Sequence, residues 1–105
     1  MVQYEVAERR GDFVRLALRG ELAGRLWTEH LQAALEDHFV DDGVKRILVD
    51  LAGLSFMDNY GVATLVALHR ESKGRGKRFL VERPQGQVEE KLKVTGVLKI
   101  LQEGA

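Results

Sequence analysis

The stretch that most constrains the fold is residues 47 to 64, ILVDLAGLSFMDNYGVAT, where an apolar run passes through a short polar elbow straight into an amphipathic segment. Ile47, Leu48 and Val49 form the β-branched-rich run that suits a strand buried on both faces, and Leu51 continues it after Asp50. The spacing predicts a strand over 47–51 followed by a turn. Asp58 or Asn59 then offers a helix N-cap oxygen, and Val62, Leu65, Val66 and His69 recur at intervals of three and four to draw one helical stripe. A strand that runs into a helix presents uncapped backbone N–H groups at its C-terminal edge, where open α/β sheets usually place their sites. The elbow is therefore the first functional candidate.

The remaining segments read as support for it. Residues 2 to 9 alternate apolar and polar, as do Phe13, Val14, Leu16 and Leu18 against Arg15 and Arg19, so the two runs predict an antiparallel hairpin turned at Arg10, Gly11 and Asp12. From Gly24 to Val40, Leu26, Trp27, Leu31, Ala34, Leu35 and Phe39 recur at helical spacing, and Gly43 suits a left-handed cap beyond that helix. The elbow helix is expected over 59–73, stopped by Gly74-Arg75-Gly76. Phe79, Leu80 and Val81 form a short strand that Pro84 prevents from continuing as a central one. A helix from Gln85 or Gly86 to Val94 buries Val88, Leu92 and Val94, Thr95-Gly96 breaks it, and the last segment fits a short helix. The order of elements predicts an α/β domain with a mixed sheet, in which right-handed crossovers bring strand 47–51 beside strand 78–82.

With 105 residues the chain fits one domain over 1–105. Sixteen basic and sixteen acidic side chains cancel, which argues against nucleic acid as the main partner, because such binding rests on many uncompensated phosphate contacts. The basic cluster Lys73, Arg75, Lys77 and Arg78 reads as a solvated turn. No apolar run approaches the roughly 20 residues of a membrane span, and the amino terminus has no basic start followed by an apolar core, so membrane insertion and a signal peptide are not expected and the expected compartment is the cytoplasm. Cysteine is absent, which excludes disulfides and thiolate chemistry.

Asp50 and Asp58 bracket the elbow as paired carboxylates could in an acid–base site, but strand-end and helix-cap roles account for them more simply. His30, His38 and His69 show no metal-binding spacing, and His69 is expected to be a satisfied, partly buried side chain. No nucleophile-elbow, Walker or dinucleotide motif is present, so neither an enzyme nor a cofactor is expected. Gly61 in the first helical turn costs about 1 kcal/mol against alanine, which points to a close approach there by the neighbouring loop or by a partner. Met57 and Tyr60 beside it suit a buried interface centre.

The run from Ile47 to Asp58, with Gly61, Leu65 through His69, the Gly76 turn, Leu92-Lys-Val-Thr-Gly96 and the early Gly20-Glu21-Leu22, resembles the STAS domain of bacterial anti-sigma factor antagonists over nearly the whole chain. The resemblance implies a mixed sheet of about four to five strands with helices packed mainly on one face, and a regulatory protein that docks an anti-sigma factor or serine kinase through the elbow. It implies a partner-binding surface of Leu22, Ala23, Met57, Asp58, Asn59, Tyr60 and Gly61. In the typical member a serine or threonine directly after the elbow aspartate is phosphorylated. Here that position is Asn59, which cannot accept a phosphate; Tyr60 follows where a small or hydroxylic residue is usual, and Ala23 stands where an aspartate is often seen. Ser55 and Thr64 are nearby hydroxyls outside the matching position. The alternative role is a scaffold or accessory subunit of a stress-signalling complex or a lipid transporter, and small-ligand or nucleotide binding at the elbow is a third reading.

Overall fold

The fold was obtained as a computed structural model, which describes residues 1–103. The alternating amino-terminal runs form β1 (Val2–Arg10) and β2 (Phe13–Leu22), an antiparallel hairpin closed by Gly11 and Asp12. There follow α1 (Arg25–Val40), β3 (Arg46–Met57), α2 (Asn59–Gly74), β4 (Arg78–Glu82), α3 (Gly86–Val94) and α4 (Leu98–Glu103). The four strands lie in sequence order, with β3 parallel to both β2 and β4. The mixed sheet, the hairpin and the neighbouring of the 47–51 and 78–82 segments are as the sequence predicts.

Helices pack mainly on one face. There Val14, Leu16 and Leu18 of β2, Ile47, Val49 and Leu51 of β3 and Phe79 and Val81 of β4 meet Leu31, Leu35 and Phe39 of α1 and Leu65 and Leu68 of α2, all buried. Phe39 and Phe79 pack ring to ring at 6.1 Å. Val88, Leu92 and Leu101 complete this core from α3 and α4. The other face is only half covered. Phe13, Leu48 and Leu80 are intermediate in burial there, with the Arg46 guanidinium 5.3 Å from the Phe13 ring centroid. Arg15 pairs on this face with Glu8 and Glu82. Leu48 is thus not part of a strand buried on both faces.

Several boundaries differ from expectation for identifiable reasons. β3 runs on from Leu51 to Met57, because β2 keeps pairing with it as far as Leu22 opposite Met57 and absorbs the mismatch in two register shifts. Gly43 is not left-handed; α1 ends instead at Asp41, whose Oδ1 accepts the Gly43 N–H at 2.8 Å. Leu26, Trp27 and Val94 are exposed at 74%, 40% and 78%, each in a terminal turn of its helix. Lys77 departs from the solvated basic turn: it is buried, and its Nζ donates to the carbonyls of Asp41 and Val44, each at 2.5 Å. No helix among the described residues is long and apolar enough to cross a membrane.

Candidate functional site

The elbow sits where β3 outruns β4. β4 pairs with β3 only from Arg46 to Asp50, so the far end of β3 has a free edge on that side. At Met57 the gap is closed by a side chain acting as a strand: Gln87 Oε1 accepts the Met57 N–H and Gln87 Nε2 donates to the Met57 carbonyl, both at 2.9 Å. Gln87 therefore fixes the last strand residue before the elbow. Sequence reasoning missed it, since a glutamine in the first turn of a helix carries no mark of a long-range amide pairing.

Asp58 then does two jobs with one carboxylate. As N-cap of α2 its Oδ1 accepts the Gly61 N–H at 3.0 Å, and its Oδ2 accepts the Gly24 N–H at 2.9 Å from the loop leading into α1. The Asp58 N–H reaches the Leu22 carbonyl at 3.4 Å and its own carbonyl accepts from Val62 at 3.1 Å. Of the two cap candidates, Asp58 is the cap and Asn59 is the first helical residue. Once Gly61 and Val62 are engaged, the N–H groups of Asn59 and Tyr60 are the first-turn donors left over among the described hydrogen bonds.

The backbones of the two loops touch at Gly61. A Cβ there would lie 2.3 Å from the Leu22 carbonyl oxygen and 2.7 Å from the Met57 side chain, so the close approach is made by the chain's own β2 end. Leu22, Met57 and Gly61 are buried, Ala23 and Asp58 are half-buried, and Asn59 and Tyr60 are exposed, Tyr60 at 52%. The seven elbow residues thus divide into a rigid seat and a surface. Leu26, Trp27 and Phe56 are exposed as well; the first two follow Gly24 in the chain and the third precedes Met57. The Trp27 and His30 rings meet edge to face at 6.0 Å. The helical period assigned Leu26 and Trp27 to the core; the fact that would have placed them outside, the tie from Gly24 to Asp58, is tertiary.

The other residues singled out from the sequence lie elsewhere. Ser55 is exposed with its Oγ on the Gly20 carbonyl at 3.2 Å, whereas Thr64 is buried. Asp50 is buried on the half-covered face. Its Oδ1 accepts from the Arg83 Nε at 3.2 Å and from Ala52 N–H at 2.9 Å, and its Oδ2 pairs with Arg83 Nη2. Burial pushes this carboxyl up, but the Arg83 fork, the Ala52 amide and the Arg15 charge outweigh it and hold it below the usual carboxylate range. Asp50 and Asp58 are each committed to structural partners and do not form a shared acid–base pair. His69 is buried but not satisfied, because its Nδ1 has no hydrogen-bond partner. Among the described residues no three His, Asp or Glu side chains gather as metal ligands would.

The family model of the STAS domain matches residues 4–103. The chain belongs to the STAS-domain family. Among solved structures this STAS domain is similar to the anti-sigma factor antagonist SpoIIAA in its unphosphorylated form, with 26% identity, a TM-score of 0.74 and coverage of 93% of this chain and 83% of that one. The phosphorylated form of the Bacillus cell fate determinant SpoIIAA superposes with a TM-score of 0.70 at 22% identity, covering 90% and 85%. An anti-sigma factor antagonist from Mycobacterium paratuberculosis gives a TM-score of 0.74 at 19% identity, covering 96% and 83%. The fold of the last two is shared at a sequence distance where residue roles do not transfer.

Proposed function

We propose that this STAS domain is a non-enzymatic regulatory binding protein that docks an anti-sigma factor of the serine-kinase type through the elbow. The observation that carries the reading is the exposure of Asn59 and Tyr60 on a helix N-terminus with unclaimed N–H donors, tied through Asp58 to the Gly24 loop that leads into exposed Leu26 and Trp27. Exposed aromatic anchors over a rigid base are what the energetic centres of interfaces consist of. Leu22, Met57, Asp58 and Gly61 serve the partner from beneath, by holding that surface in one shape; Ala23, Asn59 and Tyr60 meet it.

The switch used by a phosphorylated relative is missing at the matching residue. A phosphate at a helix N-terminus would be received by free N–H groups and the dipole while its charge disrupts an apolar docking surface. Asn59 offers no hydroxyl for it, so the domain is constitutively competent to bind. A pull-down from source extract with the purified chain and with Tyr60→Asp and Trp27→Asp variants tests the docking surface. Retention of an anti-sigma kinase by the parent chain and its loss by both folded variants is expected; equal retention by all three overturns the reading.

A further inference from the structure

Past its midpoint, away from the elbow, α2 carries a histidine that the fold leaves unused. His69 is 7% exposed, its Nδ1 is unpartnered, and its ring lies tilted against Phe79 at 6.3 Å. Buried polar atoms are normally paired; the Nδ1 is closed off from solvent, which leaves Nε2 as the ring nitrogen a ligand could meet. The ring forms part of the wall of two neighbouring clefts. One, of about 310 Å³, opens between α2 and α4 among Val66, Val97, Ile100 and Leu101, with Arg70 and Lys73 at its polar end. The other, of about 280 Å³, lies toward β4 beside Lys73, Arg78 and Phe79. His69 and Lys73 belong to both.

The chemistry of these walls is one-sided. No Asp or Glu lines either cleft, and the cations Arg70, Lys73 and Arg78 face no carboxylate within salt-bridge reach among the described residues. Lys77, the remaining cation, is spent on two backbone carbonyls. Burial, with the charges of Lys73 and Arg70, holds the imidazole below its ordinary value, so it adds a neutral donor to a cationic site. Ile100, 45% exposed, leaves apolar surface open beside that polar end.

We infer that the α2–α4 cleft binds a small amphipathic carboxylate, its tail along Val66, Val97 and Ile100 and its head group on His69 and Lys73, with Arg70 at the rim. The volume lies at the lower end of the roughly 300–1,000 Å³ usual for ligand sites, which limits the tail to a short chain. One ammonium and the imidazole Nε2–H suit the two oxygens of a carboxylate, with the neutral ring's Nδ1 left closed off behind it.

Sodium octanoate titrated into the isotopically labelled chain tests this, with the His69 ring nitrogens and the Val97 and Ile100 methyl groups followed by NMR. Saturable shifts confined to these groups are expected. Acetate and octanol, each supplying half of the ligand, should bind at least about tenfold more weakly, as should the Lys73→Gln variant, since a charge-assisted hydrogen bond supplies about that factor. His69→Phe should abolish the head-group effect; if it does not fold, Lys73→Gln alone decides, because Lys73 is an exposed side chain. The inference is overturned by unchanged spectra up to the solubility limit of octanoate, by non-saturating shifts spread over the surface, or by octanol or Lys73→Gln matching the parent pair. Tighter binding of octyl phosphate would overturn the carboxylate assignment.

Discussion

Gly61 is the residue on which the elbow depends most. Helix propensity alone favours alanine there by about 1 kcal/mol, but the added Cβ would sit 2.3 Å from the Leu22 carbonyl oxygen. Gly61→Ala should therefore destabilise the domain by about 1–3 kcal/mol, the usual cost of overpacking, in urea denaturation. A gain in stability would show that the two loops separate easily. Asp58→Ala should cost about 1–2 kcal/mol through the lost cap, with the Gly24 N–H left unpaired in addition. Asp58→Asn should recover part of this, since one amide oxygen can serve only one of the two loops as well as the carboxylate does.

Asp50 provides the pH dependence at the same scale. Its folded value lies below the reference of 3.8, so its pairing with Arg83 contributes stability above about pH 4 and loses it as the pH falls through the folded value. Asp50→Asn should lower stability by about 2 kcal/mol at neutral pH, and the gap to the parent should close as both are acidified. A gap unchanged down to strongly acidic pH would mean that the carboxylate charge is irrelevant to the fold. The sequence pointed to a strand-end role for Asp50 through loop amides, and the Ala52 bond is of that kind. Arg83 could not be foreseen: it reaches Asp50 from a left-handed backbone position, φ 55°, set by the end of β4.

At the scale of elements, legibility followed the range of the forces. The ends of α2 and α3 were readable because both close in Schellman motifs with a left-handed glycine: the Gly76 and Lys77 N–H groups bond Lys73 and Ser72, and the Gly96 and Val97 N–H groups bond Lys93 and Leu92. Each motif lies within six residues of chain. The end of β3 was not readable, because its last residues are held by β2 on one side and by Gln87 on the other, contacts over about thirty residues of chain. Gln87→Glu isolates that brace, since the carboxylate keeps an acceptor for Met57 N–H but gives up the donor to its carbonyl. Amide exchange at Met57 should accelerate well before the sheet centre does. Uniform exchange across β3 would show that the elbow is held by β2 alone.

For the whole molecule, the layered α/β fold and its family were legible from the elbow outward, as was the assignment of Leu65, Val88 and Leu92 to the core. The division of the elbow into seat and surface was not. Period and composition cannot tell Leu22, which is fully buried, from Leu26, which is 74% exposed, because what separates them is tertiary: Leu22 ends β2 within the core and Leu26 lies in the first turn of α1 on its exposed side. The exposure of Leu26, Trp27, Phe56 and Tyr60 is what the proposed docking surface rests on. The same geometry sets Asn59 at the first exposed helical position, with no acceptor for a phosphate.

The most direct test is the intact mass of the chain and of an Asn59→Ser variant after incubation with candidate anti-sigma factor kinases and ATP. The unmodified mass for the parent chain and one added phosphate on Asn59→Ser are expected. Stoichiometric phosphate on the parent chain would contradict the proposal that Asn59 removes the switch.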